Sequence, residues 1–178
     1  MSSGFLFKFC FGILVLISIV ACSSSHESSG KNISHTIKKP TASIYMAFGT
    51  IDGSELLSKY PRFNNEYEDF SPSENDILKL RKIDTPTKLT VVFGSWCHDS
   101  EREVPRIIKL VRQSNNPMIQ LNLIAVKHNK QLPEGMPQKY QVLYTPTLYL
   151  EQNDELVGNI VERPKESWGV HISTILSL

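Results

Sequence analysis

The sequence predicts an α/β fold in which a β-sheet carries helices on both faces. The apolar run at residues 89–93 is short and rich in β-branched residues, as is typical of a buried strand. Apolar residues at helical spacing follow from Ser100 onward, and a second strand pattern covers residues 118–126. With the elements that come after them, these segments give the order β-α-β-loop-β-β-α, which indicates helices packed on a sheet.

The C-terminal part of this order is a hairpin and a helix. Residues 147–151 and 155–161 have strand patterns separated by a polar turn. We expect the last helix to start at Arg163, with its apolar face formed by later residues. Residues 127–138 are rich in proline and glycine and are predicted to be a loop, with room for a short helix after Pro137.

Residues 43–84 are predicted to form an N-terminal helical extension. Residues 43–48 favour a strand, residues 55–60 a short helix, and residues 61–70 a loop because they show no clear period. The clearest signal is a helix from residue 71 to about residue 82, with a serine as N-cap and a proline at the first helical position.

The first residues indicate export. Lys8 is the only charge before a strongly apolar run, residues 9–20, which carries no charge and ends in small residues. This layout is typical of a secretory signal peptide, which we assign to residues 1–21. The run is too short for a membrane-spanning helix.

The residues around Cys22 predict a lipid anchor. Residues 19–22 resemble a bacterial lipobox, in which the cysteine is lipidated and becomes the first residue of the mature protein. The alternative is an ordinary signal peptide with a chance cysteine. Ser23 stands where an aspartate would favour inner-membrane retention, so the outer membrane is the expected location, on the periplasmic side. The polar, serine-rich residues 22–42 are expected to be a flexible tether.

The length and charge balance of the chain limit the classes of partner that the sequence implies. The chain has 178 residues, which suits one domain, and 19 basic against 18 acidic residues. Loss of Lys8 with the signal peptide leaves the charges balanced, so neither nucleic acid nor an acidic surface is implied as a partner. The sequence has no glycine-rich phosphate loop, and no cofactor is implied.

Cysteine usage isolates one thiol. Of the three cysteines, Cys10 leaves with the signal peptide and Cys22 carries the lipid, so Cys97 is the only free thiol and no internal disulfide can form. Cys97 follows a strand and a tight turn and opens a helix. Unpaired backbone N–H groups and the helix dipole favour a thiolate there, which is the reactive form. The alternative is a buried, inert cysteine that fills a core.

The residues around Cys97 resemble the active-site segment of the thioredoxin-like superfamily. The resemblance rests on the motif Trp96-Cys97-His98-Asp99-Ser100, on Pro105 within the following helix, and on residues 144–147 as a cis-proline loop. It covers residues 85–178 and implies a three-layer α/β/α domain with a central mixed sheet. It also implies that Cys97 is catalytic and that a cis Thr145–Pro146 bond faces it. The substrate-binding residues implied are Trp96, His98, Thr145 and Pro146.

Two departures from the family pattern define the chemistry. Ser100 replaces the second cysteine of the motif, and Val91 stands where many thioredoxins bury an acid. The Ser100 hydroxyl, one helical turn from Cys97, could stabilise a thiolate by a hydrogen bond but could not resolve an adduct. Release would then require an external thiol reductant.

Three functions stay open at this point. The first is monothiol exchange with protein or small-molecule thiol and disulfide substrates. The second is a redox-inactive peptide-binding or chaperone module that retains the groove. The third is metal handling by Cys97 and His98 with a partner near His128, which ranks last because metal-ligand spacing is absent.

Overall fold

The computed structural model describes residues 45–178. The signal peptide, Cys22 and the tether proposed for residues 22–42 lie outside the described residues. Within residues 45–178, none of the helices combines the length and the apolar character needed to cross a membrane. The elements in chain order are β1 (Gly49–Thr50), α1 (Gly53–Lys59), α2 (Pro61–Asp69), α3 (Glu74–Arg81), β2 (Thr87–Phe93), α4 (His98–Ser114), β3 (Ile119–Ala125), β4 (Thr147–Gln152), β5 (Glu155–Val161) and α5 (Trp168–Ile175).

The sheet is mixed, as the family resemblance implied. Its strand order is β1-β3-β2-β4-β5, with β2 parallel to β3 and every other neighbouring pair antiparallel. Strand β2 lies at the centre and is buried on both faces, which accounts for its nearly continuous apolar sequence. The α/β fold class with a central mixed sheet is therefore confirmed.

The first face of the sheet packs against all five helices. Alternate residues of β2, Leu89, Val91 and Phe93, point into this core. Each helix adds at least one buried apolar side chain to the same cluster, including Leu56 of α1, Phe63 of α2, Leu80 of α3, Ile107 of α4 and Ile172 of α5. The N-terminal helices therefore share one hydrophobic core with the sheet.

The second face of the sheet is not covered by a helix, as was expected, but by a loop. Residues 127–146 lie over it as turns and irregular chain, and they contribute Tyr140 to a small cluster with Val92 and Tyr149. The helix allowed after Pro137 does not form. Proline and glycine spacing in this segment prevents a continuous helical ladder, so the expected second helical layer is replaced by an ordered loop in the described part of the chain.

The N-terminal helices correct two details of the prediction. The predicted loop at residues 61–70 is helix α2, with Pro61 at a first-turn position. Its sequence shows little apolar period because only Phe63 is buried, and polar bonds fasten it to α4, including a 2.7 Å ion pair between Arg106 and Glu66. Helix α3 has Ser73 as its N-cap instead of the serine two residues earlier.

The other terminal elements are also shifted. Of the strand expected at residues 43–48, the described residues 45–48 are irregular, and the first described strand is β1. Helix α5 starts at Trp168 instead of Arg163, and the buried Asp76 of α3 explains this start. Asp76 accepts hydrogen bonds from the Ser167 hydroxyl and from the Val170 N–H, so the helix begins where it docks on α3.

Candidate active site

Cys97 occupies the turn between the central strand and the longest helix. It is the N-cap of α4, which begins at His98 and thus two residues earlier than the apolar period indicated. The Cys97 N–H donates to the Gly94 carbonyl at 3.0 Å, and its own carbonyl accepts from Glu101 at 2.9 Å. Its side chain makes no capping bond, is half-buried, and is the free thiol of the described residues. The first turn of α4 therefore begins directly beside the sulfur.

Trp96 is packed tightly on this turn. A Cβ atom on Gly94 would lie 2.6 Å from Cε2 of Trp96, so only glycine permits the observed position of the ring. The indole Nε1 donates to the Val126 carbonyl at 3.2 Å, and the His128 ring stacks at 4.3 Å between centroids. Trp96 thereby joins the ends of β2 and β3 next to the thiol.

The loop before β4 reaches Cys97 from the other side. The Thr145–Pro146 bond is cis, as the resemblance implied, and both residues are buried. The Cys97 thiol donates a hydrogen bond to the Thr145 carbonyl, with Sγ and O 3.1 Å apart. The structure thus brings together two segments that lie 48 residues apart in the chain.

Hydrogen bonds hold this loop on the sheet. Thr147 Oγ1 donates to the Tyr144 carbonyl at 2.8 Å, and the Glu162 N–H donates to the Pro146 carbonyl at 2.7 Å. Upstream, the Tyr149 hydroxyl donates to the Gln141 carbonyl at 2.7 Å. The position of the Thr145 carbonyl is therefore determined by bonds on both sides of it.

A buried carboxylate anchors the same segment more firmly. Glu151 of β4 is 1% exposed and accepts hydrogen bonds from Lys139 Nζ and the Tyr140 hydroxyl. Burial alone would raise the pKa of Glu151, but the bonds from Lys139 and Tyr140 and the lysine charge outweigh it and lower that pKa. Burial also raises the pKa of Tyr140, with the hydrogen bond to Glu151 adding to the effect. The carboxylate is thus ionised and paired at neutral pH.

Ser100 is placed differently from the expectation. It is 0% exposed, and its hydroxyl accepts a hydrogen bond from the Gly94 N–H at 3.3 Å. No hydrogen bond connects Ser100 with Cys97 in residues 45–178. The side chain points into the strand–helix turn, where it stabilises the backbone that carries the thiol. Val91 is fully buried in the apolar core, as its residue type suggests.

His98 and Asp99 complete the motif. His98 is exposed at the first position of α4, and Asp99 forms a 2.8 Å ion pair with Arg102 one turn later. Its negative charge therefore has a cation beside it. No group of three or more His, Cys, Asp or Glu side chains in the described region could hold a metal ion. His128, suggested above as a metal partner, stacks on Trp96 instead.

Some residues close to Cys97 in the structure were not predicted from the sequence to lie there. The Ala47 N–H donates to the Ser95 hydroxyl at 2.9 Å, which brings the segment before β1 to the active-site turn. Lys127 Nζ lies 4.6 Å from the centre of the Phe48 ring. Contacts between segments so far apart in sequence follow only from the strand order, although the aromatic residues near position 48 could have drawn attention to that stretch.

Residues 53–174 match a family model described as thioredoxin. The chain belongs to the thioredoxin family. The matched range runs from α1 to α5 and so includes the three N-terminal helices. Within this thioredoxin-family chain, Trp96, Cys97 and the cis-proline loop occupy one end of the sheet.

Two solved structures are similar to the chain. One is a protein of unknown function from Pseudomonas aeruginosa, with a TM-score of 0.42 and 18% identity over 66% of this chain and 69% of that chain. The other is an HIV epitope-scaffold, with a TM-score of 0.42 and 19% identity over 65% of this chain and 72% of that chain. Likeness at this level supports no inference about the chain. No curated protein matched the sequence.

Proposed function

We propose that the protein is a lipid-anchored thioredoxin-family protein of the bacterial periplasm that carries out thiol–disulfide exchange through Cys97. The observation that carries this proposal is the half-buried Cys97 sulfur at the start of α4, 3.1 Å from the Thr145 carbonyl beside a cis-proline bond. The thiol is accessible, lies at the positive end of a helix dipole, and faces a backbone acceptor that an extended peptide can use.

The reaction balances without an added oxidant. The Cys97 thiolate attacks one sulfur of a substrate disulfide, a new S–S bond forms to Cys97, and the other substrate sulfur leaves as a thiolate. An external thiolate then attacks the mixed disulfide and releases Cys97 as a thiolate. The proton of the Cys97 thiol goes to solvent before the attack. The substrate thiolate that leaves then takes up a proton from solvent and becomes a free thiol.

The Thr145 carbonyl has two roles in this scheme. In the free protein it accepts the thiol proton of Cys97, a bond that the thiolate cannot make. A substrate that pairs its backbone with the loop would donate an N–H to the same oxygen. Docking would therefore compete with the thiol for this acceptor and weaken the bond that holds the thiol proton next to the bound disulfide.

Ser100 leaves the second half of the reaction to another molecule. Its hydroxyl is engaged with the Gly94 N–H and carries no thiol chemistry. The mixed disulfide should therefore persist until an external thiol arrives. A slow release step is the kinetic signature that distinguishes this protein from a two-cysteine thioredoxin.

The test is capture of a mixed disulfide. The purified protein without its first 42 residues, incubated with glutathione disulfide, should gain the mass of one glutathionyl group, and Cys97→Ser should gain none. Excess dithiothreitol should reverse the adduct. Ser100→Cys should shorten the lifetime of the adduct and confer insulin reductase activity, limited by the absence of an acid at Val91.

A second candidate is a redox-inactive peptide-binding module. It is favoured by the hydrogen bond that holds the thiol on Thr145 and by the absence of any bond between Ser100 and Cys97 in residues 45–178. If the wild type forms no mixed disulfide and Ser100→Cys reduces no insulin, exchange is refuted. The module then becomes the better description, and Cys97→Ser should bind unfolded peptides as well as the wild type does.

A further inference from the structure

The surface around Cys97 combines exposed aromatic side chains with lysines. The strand order β1-β3-β2-β4 places the segment before β1 and the end of β3 on one side of the thiol, and the loop before β4 on the other. Phe48, 48% exposed, lies on the first side, and Tyr144, 55% exposed, lies on the second. Singly exposed apolar side chains are ordinary, so what distinguishes these two is their position on either side of the thiol.

A lysine side chain lies over each of these two aromatic rings. Lys127 Nζ lies 4.6 Å from the Phe48 ring centre, and Lys130 Nζ lies 5.4 Å from that of Tyr144. Lys130 also donates to the Leu143 carbonyl at 2.5 Å, which fixes its position beside the cis-proline loop. The two sides of the thiol thus present the same pair of chemical groups.

Neither lysine is neutralised within residues 45–178. All the ion pairs of this part of the chain involve other cations, and the acids nearest in sequence to Cys97 are paired elsewhere, Asp99 with Arg102 and Glu101 with Arg62. A partner that covers the aromatic rings would therefore also meet two unpaired positive charges. Charge complementarity of this kind selects partners and accelerates their association.

We infer that Cys97 exchanges with an extended polypeptide whose cysteine has apolar residues next to it and acidic residues beyond them on both sides. This inference rests on the proposed function and names its substrate class. The backbone of the segment pairs at Thr145, its apolar side chains cover Phe48 and Tyr144, and its carboxylates reach Lys127 and Lys130. A small neutral disulfide fills none of these positions.

The experiment compares three synthetic peptides. Each carries one cysteine between two phenylalanines, activated as a mixed disulfide with the same chromogenic thiol, and outer residues that are glutamate, glutamine or lysine. The released thiol gives the second-order rate constant with the purified protein. We expect the glutamate peptide to react fastest and the lysine peptide slowest, with the difference shrinking as salt is added.

Variants assign the effect to the lysines. Lys127→Gln and Lys130→Gln should each lower the rate constant of the glutamate peptide relative to that of the glutamine peptide about two- to fivefold, the range for one exposed ion pair. Lys82→Gln, an exposed lysine at the end of α3, is the matched control and should change neither rate.

The outcomes separate the two proposals. Equal rates for the glutamate and lysine peptides, or lysine variants that match Lys82→Gln, overturn the substrate class while exchange itself stands. If none of the three peptides releases its thiol with the wild type but all release it with dithiothreitol, the proposed function fails as well. A higher rate for the glutamate peptide that falls about two- to fivefold in each lysine variant, and not in Lys82→Gln, supports the inference.

Discussion

At the residue scale, Gly94 determines how closely Trp96 packs beside the thiol. The hydrogen on its Cα is the only substituent that fits, because any Cβ would enter the indole ring. The backbone N–H of the same residue bonds to the Ser100 hydroxyl. Gly94 therefore controls both the aromatic wall of the site and the turn that carries Cys97.

Gly94→Ala should displace Trp96, because the new methyl group would lie 2.6 Å from Cε2 in the present position of the ring. We expect loss of the indole bond to Val126 and of the His128 stack, with a destabilisation of about 1–3 kcal/mol, the usual cost of overpacking. Near-ultraviolet circular dichroism and urea unfolding measure the two effects.

Gly53→Ala is the control for this prediction. A Cβ on Gly53 would meet its nearest atoms at 3.4 Å, and these belong to side chains that can adjust. Its circular dichroism should match that of the wild type. An unchanged tryptophan signal in Gly94→Ala would show that the ring tolerates the methyl group and that the tight packing inferred for Trp96 is wrong.

At the scale of the elements, residues 127–146 replace a helical layer with a loop fastened by a few polar contacts. The Lys139–Tyr140–Glu151 group is the most buried of them, and Tyr140 also stacks on Tyr149, with ring centres 4.9 Å apart. Segments with few buried apolar contacts open before the rest of a domain. This segment leads directly into the cis-proline loop.

Glu151→Gln should therefore loosen the loop. The amide still accepts from Tyr140 but loses the charge that pairs with Lys139, and we expect a loss of about 1–3 kcal/mol of unfolding free energy at neutral pH. The backbone amides of residues 127–146 should exchange their hydrogens faster than in the wild type. The amides of β2 should exchange faster only to the extent that the free energy of global unfolding falls.

The contribution of Glu151 to the free energy of unfolding should depend on pH. Because the pKa of Glu151 is lower in the folded than in the unfolded chain, its contribution is fully present above the ordinary glutamate value of about 4.3. The contribution is lost as the pH falls through the lowered folded value. The wild type and Glu151→Gln should thus converge in acid, and Glu155→Gln, at the exposed start of β5, should follow the wild type throughout. A stability difference that stays constant with pH would contradict this explanation.

The sequence predicted some elements well for physical reasons. Strand β2 and helix α4 were recognisable because each buries a regular set of apolar side chains. Helix α2 was missed because its bonds to α4 are mostly polar and long-range. In the site, Trp96, Cys97 and Pro146 could be placed from the motif, but the Ser100 hydroxyl could not, because its direction depends on where the Gly94 N–H points.

At the scale of the whole molecule, residues 45–178 form a main core on one face of the sheet and a smaller cluster on the other, with the thiol at one end of the sheet. The helices from residues 53–81 contribute buried side chains to that core, so they stabilise the sheet as well as precede it. The proposed anchor at Cys22 lies upstream of this folded part. Attachment to the membrane should therefore depend on Cys22 and leave the folding of the domain unaffected.

Cys22→Ser should abolish lipid attachment. Cells grown with an alkynyl palmitate analogue should label the wild type and leave Cys22→Ser unlabelled. Cys97→Ser is the matched control and should keep its label. Equal labelling of the wild type and Cys22→Ser would remove the lipid anchor from the proposal.

The single thiol of the folded part has a consequence for the compartment around it. In the proposed reaction, each exchange at Cys97 would make one S–S bond and break one, so the total number of disulfides in the surroundings would stay constant. A protein that acts in this way would redistribute pairings among existing sulfurs with no net supply of electrons. Its direction is then set by the concentrations of free thiols and disulfides nearby, and a dedicated reductase would be needed only where those thiols are scarce.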